Sequence, residues 1–269
     1  MDKFSACGVI TLTTDFGPQG PFVATMKGRI LARLPDARII DVTHDVPVYW
    51  PAEAGFWLAR AYSYFPEGSV HVAVVDPGVG TKRDIIAVVA DGHAFLAPDN
   101  GLLAPIVSQV ISARIYRFDA AGAGARFKLP PASATFHGRD IFAPLAAEIA
   151  GGRAMPADLG PQIHDIVPSW VDEPTVAADQ VTGVVITTDH FGNLITNIDG
   201  RLIESFRRPM VKTGGHSFAL RRTYGDVSPG QFLALVNSFG VVEIARAEQS
   251  AAEALGLGRG APVVVSDAA

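Results

Sequence analysis

The chain has 269 residues, 48% of them apolar, enough to bury one large core or two moderate ones. Its net charge of −5 is spread without a block of either sign, which argues against nucleic acid as a partner. A single cysteine, Cys7, excludes an internal disulfide. The opening MDKFSACGVITLTTDFG lacks a signal peptide's apolar stretch, and no apolar run reaches the ~18 residues of a membrane span. A soluble, cytoplasmic protein is expected.

The first ~165 residues alternate strand-like and helix-like periods. Gly8–Thr13 reads as a strand. Pro21 opens a helix over Phe22–Leu34, with Phe22, Met26, Ile30 and Leu34 on one face. Arg38–Thr43 reads as a second strand, and Pro51 opens a second helix reaching Ala61. Ser69–Val75 and Ile85–Ala90 are nearly continuous apolar runs, the habit of strands in a parallel sheet covered on both faces. The AAGAGA at 120–125 reads as flexible, and Ile141–Ala150 as a helix.

Beyond Pro161 the periodicity fades, and Pro161, Pro168 and Pro174 mark a linker. Short β-type runs follow at Val181–Thr188, Leu194–Ile198, His216–Leu220, Phe232–Val236, Val241–Ala245 and Pro262–Val265; only Ser250–Leu255 looks helical. The expected organisation is an α/β domain over 1–165, a linker over 166–178 and a β-barrel domain over 179–269.

In an open α/β sheet, ligands bind outside the carboxyl ends of the strands. Four segments place polar residues there. In TLTTDFGPQGPF, Asp15 follows strand one; it either accepts the hydroxyls of a diol or satisfies turn amides. In VVDPGVGTKRDII, the PGVGT turn folds back and can bring Arg83 to Asp76, as a turn-locking ion pair or as part of a reactive site. In SATFHGRDIFAP, His137 and Gly138 stand ahead of a helix whose N-terminus disfavours the imidazolium, while Thr135, Ser133 and Asp140 suit capping. In VVITTDHFGNLITNID, Asp189, Phe191 and Asn193 form a hairpin turn or an acceptor beside an aromatic wall. Tyr224 and the Asn237–Ser238 pair add a ring and polar groups further on.

Asp41, His44 and Asp45, with His137 and Asp140, contain metal-ligating types, but no two histidines share a helix face at a spacing of four. No carboxylate loop has calcium spacing, and neither a GxSxG elbow nor a Walker sequence occurs. The residues alone support a polar pocket and leave the reaction open.

Seven ordered stretches, ITLTTDFG, IIDVTHDVP, YFPEGSVHVAVVDPGVGTKR, APDNGLL, TFHGRDIFAP, DHFGNLITNI and LALVNSFGVVEIA, resemble the S-adenosyl-L-methionine (SAM) hydroxide adenosyltransferases. These enzymes, also called SAM hydrolases, are similar to fluorinases and chlorinases. The resemblance implies a three-layer α/β/α domain joined to a β-barrel, and a homotrimer whose active sites lie between subunits. It implies metal-independent hydrolysis of SAM to adenosine and L-methionine by attack of water at ribose C5′, with no cofactor. It places the catalytic set on Asp76, Arg83 and His137, and the ribose-diol carboxylate on Asp15 beside Tyr49. It places the methionine part near Asp189, Phe191, Asn193 and Ser238, and an adenine-facing ring on Tyr224. Glu248 stands in the adenine-side segment, where Ala247-Glu248-Gln249 replaces the family's Asn-Gln-Gly. Halogenating relatives carry Tyr in place of Asp76 and Ser in place of Gly138, so the resemblance favours water over halide. The alternatives are a chlorinase-like halide transferase and a non-catalytic adenosine or SAM binder.

Overall fold

The apolar run Val9–Thr14 (β1) is buried along its entire length in the computed structural model, which describes residues 4–268. It leads to the helix Phe22–Leu31 (α1), the strand Arg38–Thr43 (β2) and the helix Pro51–Ala61 (α2), opened by its proline. Val70–Val74 (β3), Ile85–Ala90 (β4) and His93–Pro98 (β5) are wholly buried strands. The helix Ala104–Gln109 (α3), the strand Arg114–Arg117 (β6), the helices Gly122–Arg126 (α4) and Ala143–Ala150 (α5), and the strand Gln162–Ile163 (β7) follow.

These strands form one sheet in the order β2-β1-β3-β5-β4-β6-β7. Met26 and Ile30 of α1 pack with Leu145 and Ile149 of α5 against one face, and Leu58 of α2 with Ile106 of α3 against the other. Burial on both faces explains why β3 and β4 read as continuous apolar runs.

The sheet is parallel only from β2 through β5. Ile85–Ala90, read as another strand of a parallel sheet, is antiparallel to both neighbours. The cause is the two-residue turn Asp91-Gly92, with φ of +47° and +77°, which sends β4 straight back as β5. The expected helix over Phe22–Leu34 stops at Leu31, with Leu34 still packed on the core. The tract read as flexible at 120–125 contributes to α4. A π-helical turn, Gly138–Phe142, precedes α5, so the helix read from Ile141 begins at Ala143.

The chain divides into two compact units between Val171 and Asp172. In the second unit, Thr175–Val176 (β8), Gln180–Thr188 (β9), Leu194–Asp199 (β10), Pro209–Thr213 (β11), His216–Ala219 (β12), Phe232–Val236 (β13), Val241–Arg246 (β14) and Pro262–Asp267 (β15) form an all-antiparallel sheet. Its order is β12-β11-β15-β9-β10-β14-β13, with β8 paired to β9. A bridge between Leu220 and Ala234 brings the two ends together, giving a nearly closed barrel around Val185, Leu194, Val211, Phe218 and Ile244. β11 escaped the sequence reading because Pro209 and Lys212 break the apolar pattern. The short helix Ala251–Leu255 (α6) starts one residue later than expected, because Ser250 is its N-cap, accepting from the Glu253 amide at 3.1 Å.

Candidate functional site

Three loops at the carboxyl ends of β1 and β3 and ahead of α5 build a pocket in the first unit. After β1, Asp15 turns its Oδ2 to the backbone N–H of Tyr49, 3.1 Å away. Tyr49 holds a left-handed φ of +63°, a conformation the Asp15 carboxylate supports. The Tyr49 ring is 68% exposed. Burial pushes the Asp15 carboxyl above the usual carboxylate range, and the Tyr49 amide opposes that shift. The amide occupies one carboxylate oxygen, so Asp15 braces a turn, and the residue also lines the pocket.

After β3, Asp76 enters the PGVGT turn, closed by Val79 N–H donating to the Asp76 carbonyl and by Thr81 Oγ donating to the Gly78 carbonyl at 2.7 Å. Gly80 adopts φ +76° with its Cα against the neighbouring loop; a Cβ there would sit 2.1 Å from the Ala134 carbonyl oxygen. This close approach lays the Arg83 loop against the His137 loop. Arg83 Nε donates to both Asp76 oxygens at 3.0 Å, and its terminal nitrogen reaches Oδ2. That terminal nitrogen also stands 2.7 Å from His137 Nδ1. The pair is nearly buried, with side-chain exposures of 10% and 4%.

A guanidinium can only donate, so His137 Nδ1 accepts and its ring proton sits on Nε2. Burial, then the Arg83 charge, hold the His137 pKa below the ordinary histidine value. The sequence reading attributed a neutral His137 to a helix N-terminus. The residue instead precedes a π turn, and burial beside a cation accounts for the effect. Arg139 and Asp140 pair with each other at 2.6 Å. Asp140 also accepts the Ser133 amide at 2.9 Å, tying the preceding loop to the turn rather than capping a helix.

The cavity measures about 240 Å³ and brings Asp15, Tyr49, Asp76, His137 and Gly138 together. One wall went unread in the sequence: Phe16, Phe22 and Phe136 contact one another with ring centroids 5.5–6.1 Å apart. Phe16 and Phe136 directly follow or precede residues that were singled out, but a lone Phe carries no signal of its own. A Cβ on Gly138 would lie 3.1 Å from Met26 Sδ and 3.2 Å from the Phe136 ring. Asp41 is held by Lys27 at 2.6 Å and His44 at 3.0 Å. Among the described residues, no group of three or more His, Cys, Asp or Glu is placed to hold a metal ion.

The second unit has its own cavity of about 550 Å³, lined by Phe191, Asn193, Tyr224, Arg246, Glu248, Gln249 and Ser250. Asp189 closes the turn at its edge: Oδ1 accepts the Phe191 and Asn193 amides at 2.9 Å, and Oδ2 accepts Asn193 Nδ2 at 3.0 Å. Phe191 is 75% exposed and Tyr224 45%. Glu248 has φ +61° on the same rim. Ser238 is exposed in the turn between β13 and β14 and does not line this cavity. The sequence reading missed Glu243, a β14 carboxylate only 2% exposed, which accepts from the Tyr224 hydroxyl at 2.7 Å and Asn237 Nδ2 at 3.1 Å. Burial raises the pKa of Glu243, and burial with the Glu243 contact raises that of Tyr224.

Residues 10–160 match the model of the SAM hydroxide adenosyltransferase N-terminal domain, and residues 183–264 that of its C-terminal domain. The chain is 37% identical to the (R)-S-adenosyl-L-methionine hydrolase of Thermus thermophilus, over 93% of this chain and 96% of that protein. It is 41% identical to the enzyme of the same name from Salinispora tropica, over 92% and 94%. A fluorinase from Actinoplanes is more distant, at 28% over 71% of each. A crystal structure of a conserved protein from Thermotoga maritima superposes with a TM-score of 0.86 at 32% identity, covering 96% of this chain and 99% of that one.

Proposed function

The chain belongs to the SAM hydroxide adenosyltransferase family, and on that premise we propose that it hydrolyses S-adenosyl-L-methionine to adenosine and L-methionine. The observation that carries this reading is Arg83 joining Asp76 to a neutral His137 at the edge of one cavity. The new bond forms between water oxygen and ribose C5′, the C5′–S bond breaks, its electron pair returns to sulfur, and one proton goes to solvent. Methionine leaves as a neutral thioether, so the leaving group needs neither an acid nor a metal.

The work is to hold a water in line behind C5′, ~3–3.5 Å away, and to strip its other partners. An ion-paired carboxylate is a weak general base. Asp76 therefore orients the water through the acceptor capacity that Arg83 leaves unused. Arg83 and the His137 Nε2–H steady hydroxide as it develops. Asp15 takes the ribose hydroxyls beside Tyr49. Tyr224 and Glu248 take the adenine side, and Asp189, Phe191, Asn193 and Ser238 take the methionine part.

The assembly we propose is a cytoplasmic homotrimer, each substrate held between the first unit of one copy and the second unit of the next. In support, 240 Å³ is below the ~300–1,000 Å³ that usually encloses a ligand of this size. Both cavities also expose aromatic rings, Phe22 and Tyr49 at one and Phe191 and Tyr224 at the other. Purified protein incubated with SAM, with and without chelator, should release adenosine and methionine by chromatography. Intact SAM after prolonged incubation overturns the reaction. Light scattering at other than three times the monomer mass overturns the trimer.

A further inference from the structure

Tyr224 sits in a short turn, Tyr224–Asp226, within an exposed loop, and its ring is 45% exposed. A half-exposed ring in such a loop ordinarily samples several rotamers. Here its hydroxyl donates at 2.7 Å to the carboxylate of Glu243, which lies on the rigid strand β14 and is 2% exposed. The other Glu243 oxygen accepts from Asn237 Nδ2 at 3.1 Å. Asn237 is itself fixed, because its Oδ1 accepts the Phe239 amide at 3.0 Å and the Val241 amide at 3.3 Å. The chain of bonds runs from a tight turn, through a buried carboxylate, to a ring on the rim of the 550 Å³ cavity.

We infer that Glu243 is a positioning residue: it pins Tyr224 so that the ring stands as a fixed wall for the flat heteroaromatic base of the substrate. This rests on the reading of Tyr224 as the adenine-facing ring. Pinning the ring before binding removes the entropy cost of ordering it in the complex. Glu243 itself touches no substrate. Its burial and the pKa shifts of Glu243 and Tyr224 agree with a tightly coupled pair.

Tyr224→Phe removes the pin and keeps the ring, with little risk to folding. It should raise the KM for SAM and the Kd for adenosine about 5–10-fold, while kcat changes less than twofold. Glu243→Leu should do the same, and the double variant no more than either alone. Glu243→Gln should restore near-normal values, because its carbonyl can take Asn237 and its amide can donate to the Tyr224 oxygen. Unchanged KM and Kd in Tyr224→Phe, or additive effects in the double variant, overturn the positioning role. Wild-type protein that binds adenosine by calorimetry but leaves SAM intact overturns the reaction alone, and the Kd series still decides the pin. Wild-type protein that does neither overturns both.

Discussion

Arg83 and His137 stand in a one-way relationship: the guanidinium donates to Nδ1 at 2.7 Å and can accept nothing in return. The same guanidinium grips Asp76 through Nε. One side chain thereby sets both the orientation of a carboxylate and the tautomer of a histidine. Lysine in its place would keep the charge but lose the fork. Arg83→Lys should reduce adenosine formation about 100-fold, with the midpoint of thermal unfolding moved only slightly. Activity within threefold of wild type would show that charge alone suffices.

The His137 relationship also fixes the sign of the pH response. Its folded pKa lies below the ordinary 6.5, so the ring is neutral at pH 7 and protonates only on the acid side of that value. Protonation gives Nδ1 a hydrogen and sets it against Arg83. The acid limb of kcat/KM should therefore lie below pH 6.5, with a plateau above. In His137→Asn, whose amide oxygen can still accept from Arg83, that limb should disappear while a reduced rate persists. An acid limb of unchanged position in the variant would assign the titration elsewhere.

Gly80 tests how the two loops are held. A methyl group there meets the Ala134 carbonyl and requires L-residue backbone at φ +76°. Gly80→Ala should cost about 2 kcal/mol or more of stability and lower turnover further than Arg83→Lys, because it separates Arg83 from His137. The measurements are chemical denaturation and initial rates on the folded fraction. Full activity per folded molecule would disconnect the loop contact from the reaction.

The sheet core holds a separate titratable device. His71 Nε2 lies 3.1 Å from His93 Nδ1, and His71 Nδ1 lies 2.8 Å from Thr11 Oγ, linking three adjacent strands. Burial depresses the His71 pKa to about 3 and lowers that of His93. Between pH 6.5 and about 3 the unfolded chain therefore binds more protons than the folded one, and stability falls as pH falls. The expected slope is about 1.4 kcal/mol per pH unit for each histidine across its window. Urea titrations from pH 7 to 4 should show it, and a Thr11→Val, His71→Leu double variant should lose one histidine's share. An equal slope in that variant would place the acid sensitivity in other groups.

Much of the fold was legible in the chain. Both cores announce themselves by period, the continuous runs of β3 and β4 mark a sheet covered on both faces, and Pro21 and Pro51 mark the helix starts. The reversal at Asp91-Gly92 was also written there, in a two-residue hairpin signal overlooked beside two strong apolar runs. The seven ordered stretches sufficed to suggest the family, and Asp76, Arg83 and His137 could be named from them.

What only the tertiary structure decided is which polar groups meet, and in which protonation state. Local pattern reports the burial of a strand or a helix face, because that repeats along the chain. It is silent on contacts between residues far apart, such as Arg83 with His137, 54 positions away, or Tyr224 with Glu243, 19 positions away. Asp189 read in the sequence as a turn residue or an acceptor, and its carboxylate takes three hydrogen bonds from its own turn, whereas Glu243 looked like an ordinary strand residue and holds a ring in place. Those differences arise from desolvation and hydrogen-bond geometry, which exist only once the chain has folded.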